Sequence, residues 1–384
     1  MSNEHQHFAT KAIHAGQEPD PTTGAIMTPI YQTSTYVQEW PGKHKGYAYA
    51  RGKNPTRSAL ENCIAALENA EFGLCFSSGQ GASDAIIKML RPGDEVIATN
   101  DLYGGSYRMF TKIYEPFGIK FHFVNMYDTK NISNFINANT KMLWVETPTN
   151  PTMQIIDIKS CTAIAKANKL IFVVDNTFAS PYLQNPLDLG ADIVMHSVTK
   201  YLAGHSDVVM GATCTNNKAY HDQLAFIHNS CGATPGPMDS FLVLRGIKTL
   251  HVRMDRHCEN GKAVAEYLKS HPKVDKIYWP GFPDHPNHDI AKQQMRNFGG
   301  MISFTLKNAT VEETFQMASK VKVFSLAESL GGVESLLNHP ATMTHASIPK
   351  EEREKAGVTD TLIRLSVGIE DINDLIDDLK QAIG

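Results

Sequence analysis

The chain has 384 residues, enough for two domains and a sizeable core, and 42% hydrophobic against 20% charged residues is the balance of an ordinary globular protein. Its 36 basic and 40 acidic residues give a net charge of −4 with no long run of one sign, which argues against a nucleic-acid or anionic-membrane surface. No apolar segment approaches the roughly 18 residues of a membrane span, and the polar opening Met1–His7 lacks the apolar centre of a signal peptide, so a cytoplasmic location is expected.

Six cysteines are present, no two closer than Cys63 and Cys75, and there is no Cys-x-x-Cys pair. Neither a zinc site nor a redox motif is expected, and free thiols in a reducing cytoplasm are the simple reading. The histidines form no His-Glu-x-x-His, and His285 and His288 fall in or beside the Pro-rich Pro280–Asn287 stretch, where they read as solvated loop residues. No metal is expected.

Residues 1–50 carry Pro19, Pro21, Pro29 and Pro41 with little helical periodicity, and read as an extended arm that docks on its own subunit or on a neighbour. Near its end, Tyr49 and Arg51 stand two apart and point to one side of an extended segment. Asn54-Pro55 is a cap and first-turn signal, and Leu60, Ile64 and Leu67 give Thr56–Asn69 an apolar helical face. A short strand, Leu74–Phe76, then leads into Ser77-Ser78-Gly79-Gln80-Gly81-Ala82-Ser83. Small residues between a strand and a helix let backbone N–H groups close around an anion. Gly79-x-Gly81 is half a dinucleotide fingerprint with Asp84 in place of the third glycine, and no Gly-Lys-Ser/Thr follows to make a P-loop.

The α/β alternation continues through strand Glu95–Thr99 into Asp101-Leu102-Tyr103-Gly104-Gly105-Ser106, where the Tyr103 ring either packs or stacks on a flat ligand. Strand Lys141–Glu146 ends in Thr147-Pro148-Thr149-Asn150-Pro151, and helices are expected at about 106–116 and 158–168. The apolar run Leu170–Val174 stops at Asp175-Asn176-Thr177, as a strand buried on both faces of a parallel sheet does. A second strand, Asp192–Met195, leads into His196-Ser197-Val198-Thr199-Lys200. Ligands of such sheets bind beyond the carboxyl ends of the strands. Asp175 and Lys200 are therefore either a turn cap and a surface lysine, or a carboxylate and an activated amine facing one crevice. Pyridoxal phosphate needs that pair, a lysine for its aldehyde and a carboxylate for its ring nitrogen, and the hydroxyls of Ser197 and Thr199 suit a phosphate.

After Pro235-Gly236-Pro237 the pattern changes to one long helical stretch from Met238 to about Ser270, expected to join two domains. Short strands at Lys276–Tyr278, Met301–Phe304 and Thr361–Leu365 alternate with helices up to a final one at about 371–382. Glu328 lies in Leu326–Gly332, which joins glycines to an acid among apolar neighbours, and Arg364 lies inside an otherwise apolar strand. That guanidinium either pairs with an internal acid or clamps a substrate carboxylate bidentately. The expected fold class is α/β, a mostly parallel doubly wound sheet over residues 51–240 with a smaller C-terminal α+β domain over 241–384.

Nearly the whole chain, from His7-Phe8-Ala9-Thr10 to the last helix, resembles the Cys/Met-metabolism branch of fold-type I pyridoxal-phosphate enzymes. The most specific segment is Asp192–Asp207, which matches the lysine signature of that branch; Asn54–Arg57, Tyr103–Gly105, Glu146–Pro151, Val174–Phe178 and Met343–Ala346 match as well. The resemblance implies a transferase-like fold in which Lys200 holds pyridoxal 5'-phosphate, Asp175 pairs with its ring nitrogen and Tyr103 stacks on the ring. Ser78, Gly79, Gln80, Ser197 and Thr199 would bind the phosphate, with Thr177 beside the cofactor. Tyr49 and Arg51 would reach it from a neighbouring subunit of a homotetramer. Asn150, Glu328, Ser329, Thr344 and Arg364 match the substrate site. Gln80 departs from the apolar residue common at its position, and either its backbone alone or also its side chain is used.

The implied activity is that of cystathionine γ-lyases, γ-elimination of L-cystathionine to L-cysteine, 2-oxobutanoate and ammonia in transsulfuration. Joining an O-acylhomoserine to cysteine is the alternative, since those enzymes share the same residues. β-Lyases of the branch tend to carry an aromatic near Glu328, and methionine γ-lyases a cysteine at Gly105. From another class, a nucleotide-binding scaffold draws support only from the half-fingerprint at Gly79 and leaves Asp175 with Lys200 unexplained.

Overall fold

The computed structural model describes residues 6–384 and contains two sheets. The larger has seven strands: β1 (Phe72–Phe76), β2 (Glu95–Thr99), β3 (Lys120–Val124), β4 (Thr140–Glu146), β5 (Ile171–Asp175), β6 (Ile193–Ser197) and β7 (Gly211–Thr215), in the order β1-β7-β6-β5-β4-β2-β3. Only β7 runs against its neighbours, which is what a mostly parallel doubly wound sheet requires. The strands at its centre are apolar because helices cover both faces: Met142, Leu143, Trp144, Val145, Val173 and Val174 are fully buried. On one side Phe110 stacks on Phe121 with centroids 4.6 Å apart and meets Trp144 edge-on at 5.4 Å.

The second sheet holds β8 (Val274–Tyr278), β9 (Met301–Leu306), β10 (Ser325–Leu326), β11 (Leu336–Asn338) and β12 (Leu362–Ser366), in the order β10-β11-β12-β9-β8. Helix Ile372–Ile383 lays Leu375, Leu379 and Ile383 onto this core. Spacings of four residues place these side chains on one helical face. We propose dividing the chain near residue 240, inside helix Pro237–Ile247.

The single helix expected from Met238 to Ser270 is two, Pro237–Ile247 and Leu250–Ser270. At the break the Gly246 carbonyl accepts from Thr249 N–H (3.2 Å), Thr249 Oγ1 (3.1 Å) and Arg253 Nη2 (3.0 Å). These capture the acceptor that a continuing helix would use. Gly246 also lies so close to the chain after Lys200 that a Cβ there would stand 2.3 Å from the Ala203 carbonyl oxygen. Arg253 reaches the same segment, donating to the Tyr201 carbonyl at 2.8 Å. His288 begins a helix, His288–Gln294, and His285 is half-buried with Nε2 3.2 Å from the Met153 carbonyl, so neither is a solvated loop residue.

Candidate active site

β4, β5 and β6 end side by side, with Glu146 paired to Asp175 and Asp175 to Met195 in the ladder. Beyond these ends lies a cavity of about 340 Å³. It is lined by Ser78, Gly79, Gln80, Tyr103, Asn150, Asp175, Thr177, Ser197, Thr199, Lys200, Glu328, Ser329, Thr344 and Arg364. Fourteen sequence-predicted residues thus meet in one space. Tyr49 and Arg51 do not: they border a separate depression with Asn54, Arg57 and Pro235. A wider cleft of about 670 Å³ near Tyr127 and Trp279 contains none of the predicted residues, and the charges Lys269 and Asp284 at its rim already pair with each other at 2.5 Å.

One corner is built by glycine. Helix Gly79–Ile87 starts at the end of β1, with Ser78 Oγ accepting from the Gly81 N–H at 2.9 Å. A Cβ on Gly79 would stand 2.9 Å from Ser197 Cβ, and one on Gly211 would stand 2.2 Å from the Ser78 carbonyl oxygen. The helix N-terminus can therefore approach β6 and β7 only without side chains, which brings its backbone N–H groups, suited to an anion, up to Ser197. Thr199 Oγ1 is engaged elsewhere, donating to the Met210 carbonyl at 3.2 Å and accepting from Met210 N–H at 3.0 Å.

Asp175, at the end of β5, is buried and accepts from Thr177 N–H (3.1 Å) and Thr177 Oγ1 (2.5 Å). Burial pushes its pKa up, against the pull of the Thr177 donors and of His196. Among the described residues it has no salt-bridge partner. His196 in turn is 2.5 Å from Glu68 Oε1, which also accepts from Asn176 Nδ2 at 2.9 Å.

Lys200 Nζ donates to Ser329 Oγ at 2.7 Å. Burial, then the nearby Arg364, lower its pKa to about 8, with Glu328 opposing. Arg364 gives Nη1 to Asn150 Oδ1 (2.7 Å) and Nη2 to the Ser329 carbonyl (3.0 Å), while its buried Nε has no partner among the described residues. A guanidinium braced on two sides with an edge unmatched fits an incoming carboxylate.

Sequence reasoning missed Glu146, which lines the cavity and accepts from Tyr103 N–H at 2.9 Å. The signal was present, since Lys141–Glu146 is an apolar strand ending in an acid just as Leu170–Asp175 is. Phe178, Val209 and Leu330 add apolar wall and carried no such mark.

A softened amine, a buried acid lacking a cation, and a glycine-lined corner for an anion fit pyridoxal phosphate at its three polar points. Fold and donor set together define a pyridoxal-phosphate-dependent enzyme. The model of the family described as Cys/Met metabolism PLP-dependent enzyme matches residues 9–384, and the chain belongs to that family. It is similar to a protein of Coxiella burnetii named cystathionine beta-lyase, 53% identical over 100% of this chain and 99% of that one. It is also similar to the cystathionine gamma-lyase of Dictyostelium discoideum, 52% identical over 98% and 97%. The crystal structure of a cystathionine gamma synthase from Xanthomonas oryzae in complex with cystathionine superposes with a TM-score of 0.96 at 41% identity, covering 98% of each chain. The chain is a carbon–sulfur enzyme of this family, within a group whose names span lyases and a synthase.

Proposed function

We propose that the protein eliminates from the γ-carbon of L-cystathionine, releasing L-cysteine, 2-oxobutanoate and ammonia. The carrying observation is the placement of the Lys200 amine, 2.7 Å from Ser329 Oγ and in one cavity with Glu328, Asp175 and Arg364. γ-Elimination removes protons from two successive substrate carbons, so it needs a base that can shuttle between them. An amine with a pKa of about 8 accepts and returns protons near neutral pH.

Lys200 would hold the cofactor, Asp175 would face its ring nitrogen, and Tyr103 its ring. Ser78, Gly79, Gln80, Ser197 and the neighbouring Thr177 and Thr199 would surround its phosphate end. When bound, pyridoxal phosphate draws off the electrons left on the substrate carbons. Arg364, held by Asn150 and the Ser329 carbonyl, would orient the substrate carboxylate, with Thr344 beside it. We place Tyr49, 53% exposed, and Arg51 against the site of a second copy in a tetramer; a monomeric mass in solution opposes this. All six cysteines are unpaired, which supports a reducing cytoplasm.

A β-lyase reading is favoured by the name of the Coxiella relative. A γ-replacement reading is favoured by the Xanthomonas structure. Purified holoenzyme given cystathionine alone should yield 2-oxobutanoate and cysteine. Pyruvate and homocysteine would establish β-elimination, and turnover only on O-acylhomoserine plus cysteine would establish the synthase.

A further inference from the structure

The cavity contains a second buried carboxyl group, on Glu146, that the mechanism above leaves without a task. β4 and β5 are parallel neighbours and Glu146 pairs with Asp175, so both side chains leave the sheet on one face, about one strand spacing apart. Glu146 is 4% exposed and Asp175 6% exposed. Two carboxylates so placed, in a site of low polarity, cannot both stay charged unless a cation lies between them.

Among the described residues no cation forms an ion pair with either carboxylate. Lys200, after β6, points its amine at Ser329. Arg364, on β12, attracts Glu146 electrostatically but spends both Nη groups on Asn150 and the Ser329 carbonyl. Asp101, from the loop after β2, adds a third buried acid, already bonded to Thr149 and Thr152. Glu328 adds another acid to the cavity lining. The competition for the single charge is uneven. Asp175 receives two donors from Thr177 and has His196 close by, whereas among the described residues the one hydrogen bond to Glu146 comes from Tyr103 N–H.

We propose that Glu146 is a protonated positioning residue: a neutral carboxylic acid whose carbonyl oxygen fixes the Tyr103 backbone, and with it the ring, while leaving Asp175 the anion that meets the cofactor. Burial and the neighbouring Asp175 both raise the Glu146 pKa well above the usual carboxylate range, in keeping with this geometry. The inference rests on the reading that Asp175 faces the cofactor ring. A neutral acid beside Asp175 does two things that a second carboxylate could not. It avoids repulsion within the pair, and its O–H adds a donor to a residue that lines the cavity.

Glu146→Gln imitates the neutral acid, keeping a carbonyl for Tyr103 N–H, and Glu146→Ala removes it. Infrared difference spectra of wild type minus Glu146→Gln, on holoenzyme and on cofactor-free protein near neutral pH, should show the carbonyl stretch of a protonated carboxylic acid. The cofactor dissociation constant and the pH titration of the bound cofactor's absorbance should stay within about threefold for Gln, while Ala weakens cofactor binding about tenfold by loss of one buried hydrogen bond. Absence of the acid band in wild type, or a Gln variant as impaired as Ala, overturns the proposal. If no form binds pyridoxal phosphate, the functional reading fails instead, and the cofactor-free infrared spectrum still decides the state of Glu146.

Discussion

Replacing Lys200 by methionine should make the cofactor-free protein more stable, although it removes the residue on which activity depends. The amine is buried, and its pKa falls from 10.5 to about 8. A base whose pKa is depressed on folding is charged in both states below the folded value, so the native state there carries the full cost of burying the charge. As pH rises from about 8 to about 10.5 the native amine is neutral while the unfolded one is still charged, and the penalty is progressively relieved. At about 1.36 kcal/mol per pKa unit the penalty below pH 8 is about 3 kcal/mol. Methionine has nearly the length of lysine and no charge, but it also gives up the bond to Ser329 Oγ, worth about 1 kcal/mol, leaving a net gain of about 2 kcal/mol. Urea unfolding of both cofactor-free proteins measures it. The Met advantage should be present at about pH 7 and shrink by about 2 kcal/mol at about pH 9.5. A methionine variant no more stable than wild type at neutral pH, or a gain indifferent to pH, refutes the reasoning that burial softens this amine.

Arg364→Ala should lower kcat/KM on cystathionine by about ten- to 150-fold while cofactor content, read from visible absorbance, changes little, because a charge-assisted pair with the substrate is worth about 1.5–3 kcal/mol. Gly79→Ala, whose Cβ would stand 2.9 Å from Ser197 Cβ, should cost about 1–3 kcal/mol of stability and weaken retention of the cofactor in dialysis. Glu68→Ala leaves His196, Asn176 and Asn185 without their shared acceptor and should destabilise the fold by about 3–5 kcal/mol in urea unfolding.

The large sheet was readable where burial and apolar sequence coincide. Leu170–Val174 declares itself as a central strand because both its faces pack under helices. β7 went unread because Gly211-Ala212-Thr213-Cys214-Thr215 is small and half polar. It is buried by position, between β1 and β6, and its glycine is demanded by the Ser78 carbonyl rather than by any turn. The long helix was misread for a related reason: Lys248-Thr249 continues a helical pattern, and Thr249 and Arg253 end it by taking the Gly246 carbonyl, with Arg253 also held by the Tyr201 carbonyl. Within the site, strand-end residues were legible because chemistry and topology agree on them. Glu146 obeyed the same rule as Asp175, but a lone acid without a recognised partner gave no reason to single it out. Tyr49 and Arg51 stand outside the cavity of their own chain, where Arg51 meets Asn229 Oδ1 at 3.4 Å and lies over the Tyr49 ring, so their link to the site was legible only through the resemblance.

The contrast between Lys200 and Glu68 locates where this fold is rigid. Lys200, Arg364 and Asp175 face a cavity that a ligand can fill, and burial disfavours the charged form of each. The residues behind them face only protein. Glu68 gathers His196, Asn176 and Asn185, and Arg253 fastens the carbonyls after Lys200. Burial makes such contacts expensive to break, since the partner left behind has no water to turn to. Removing a charge at the cavity wall therefore relieves the fold, whereas removing one from the layer behind it damages the fold. Strain concentrated on the ligand side and relieved by binding is what lets the same geometry accept a cofactor tightly: the stabilisation that the cofactor-free protein lacks at Lys200 and Asp175 is recovered when complementary groups arrive.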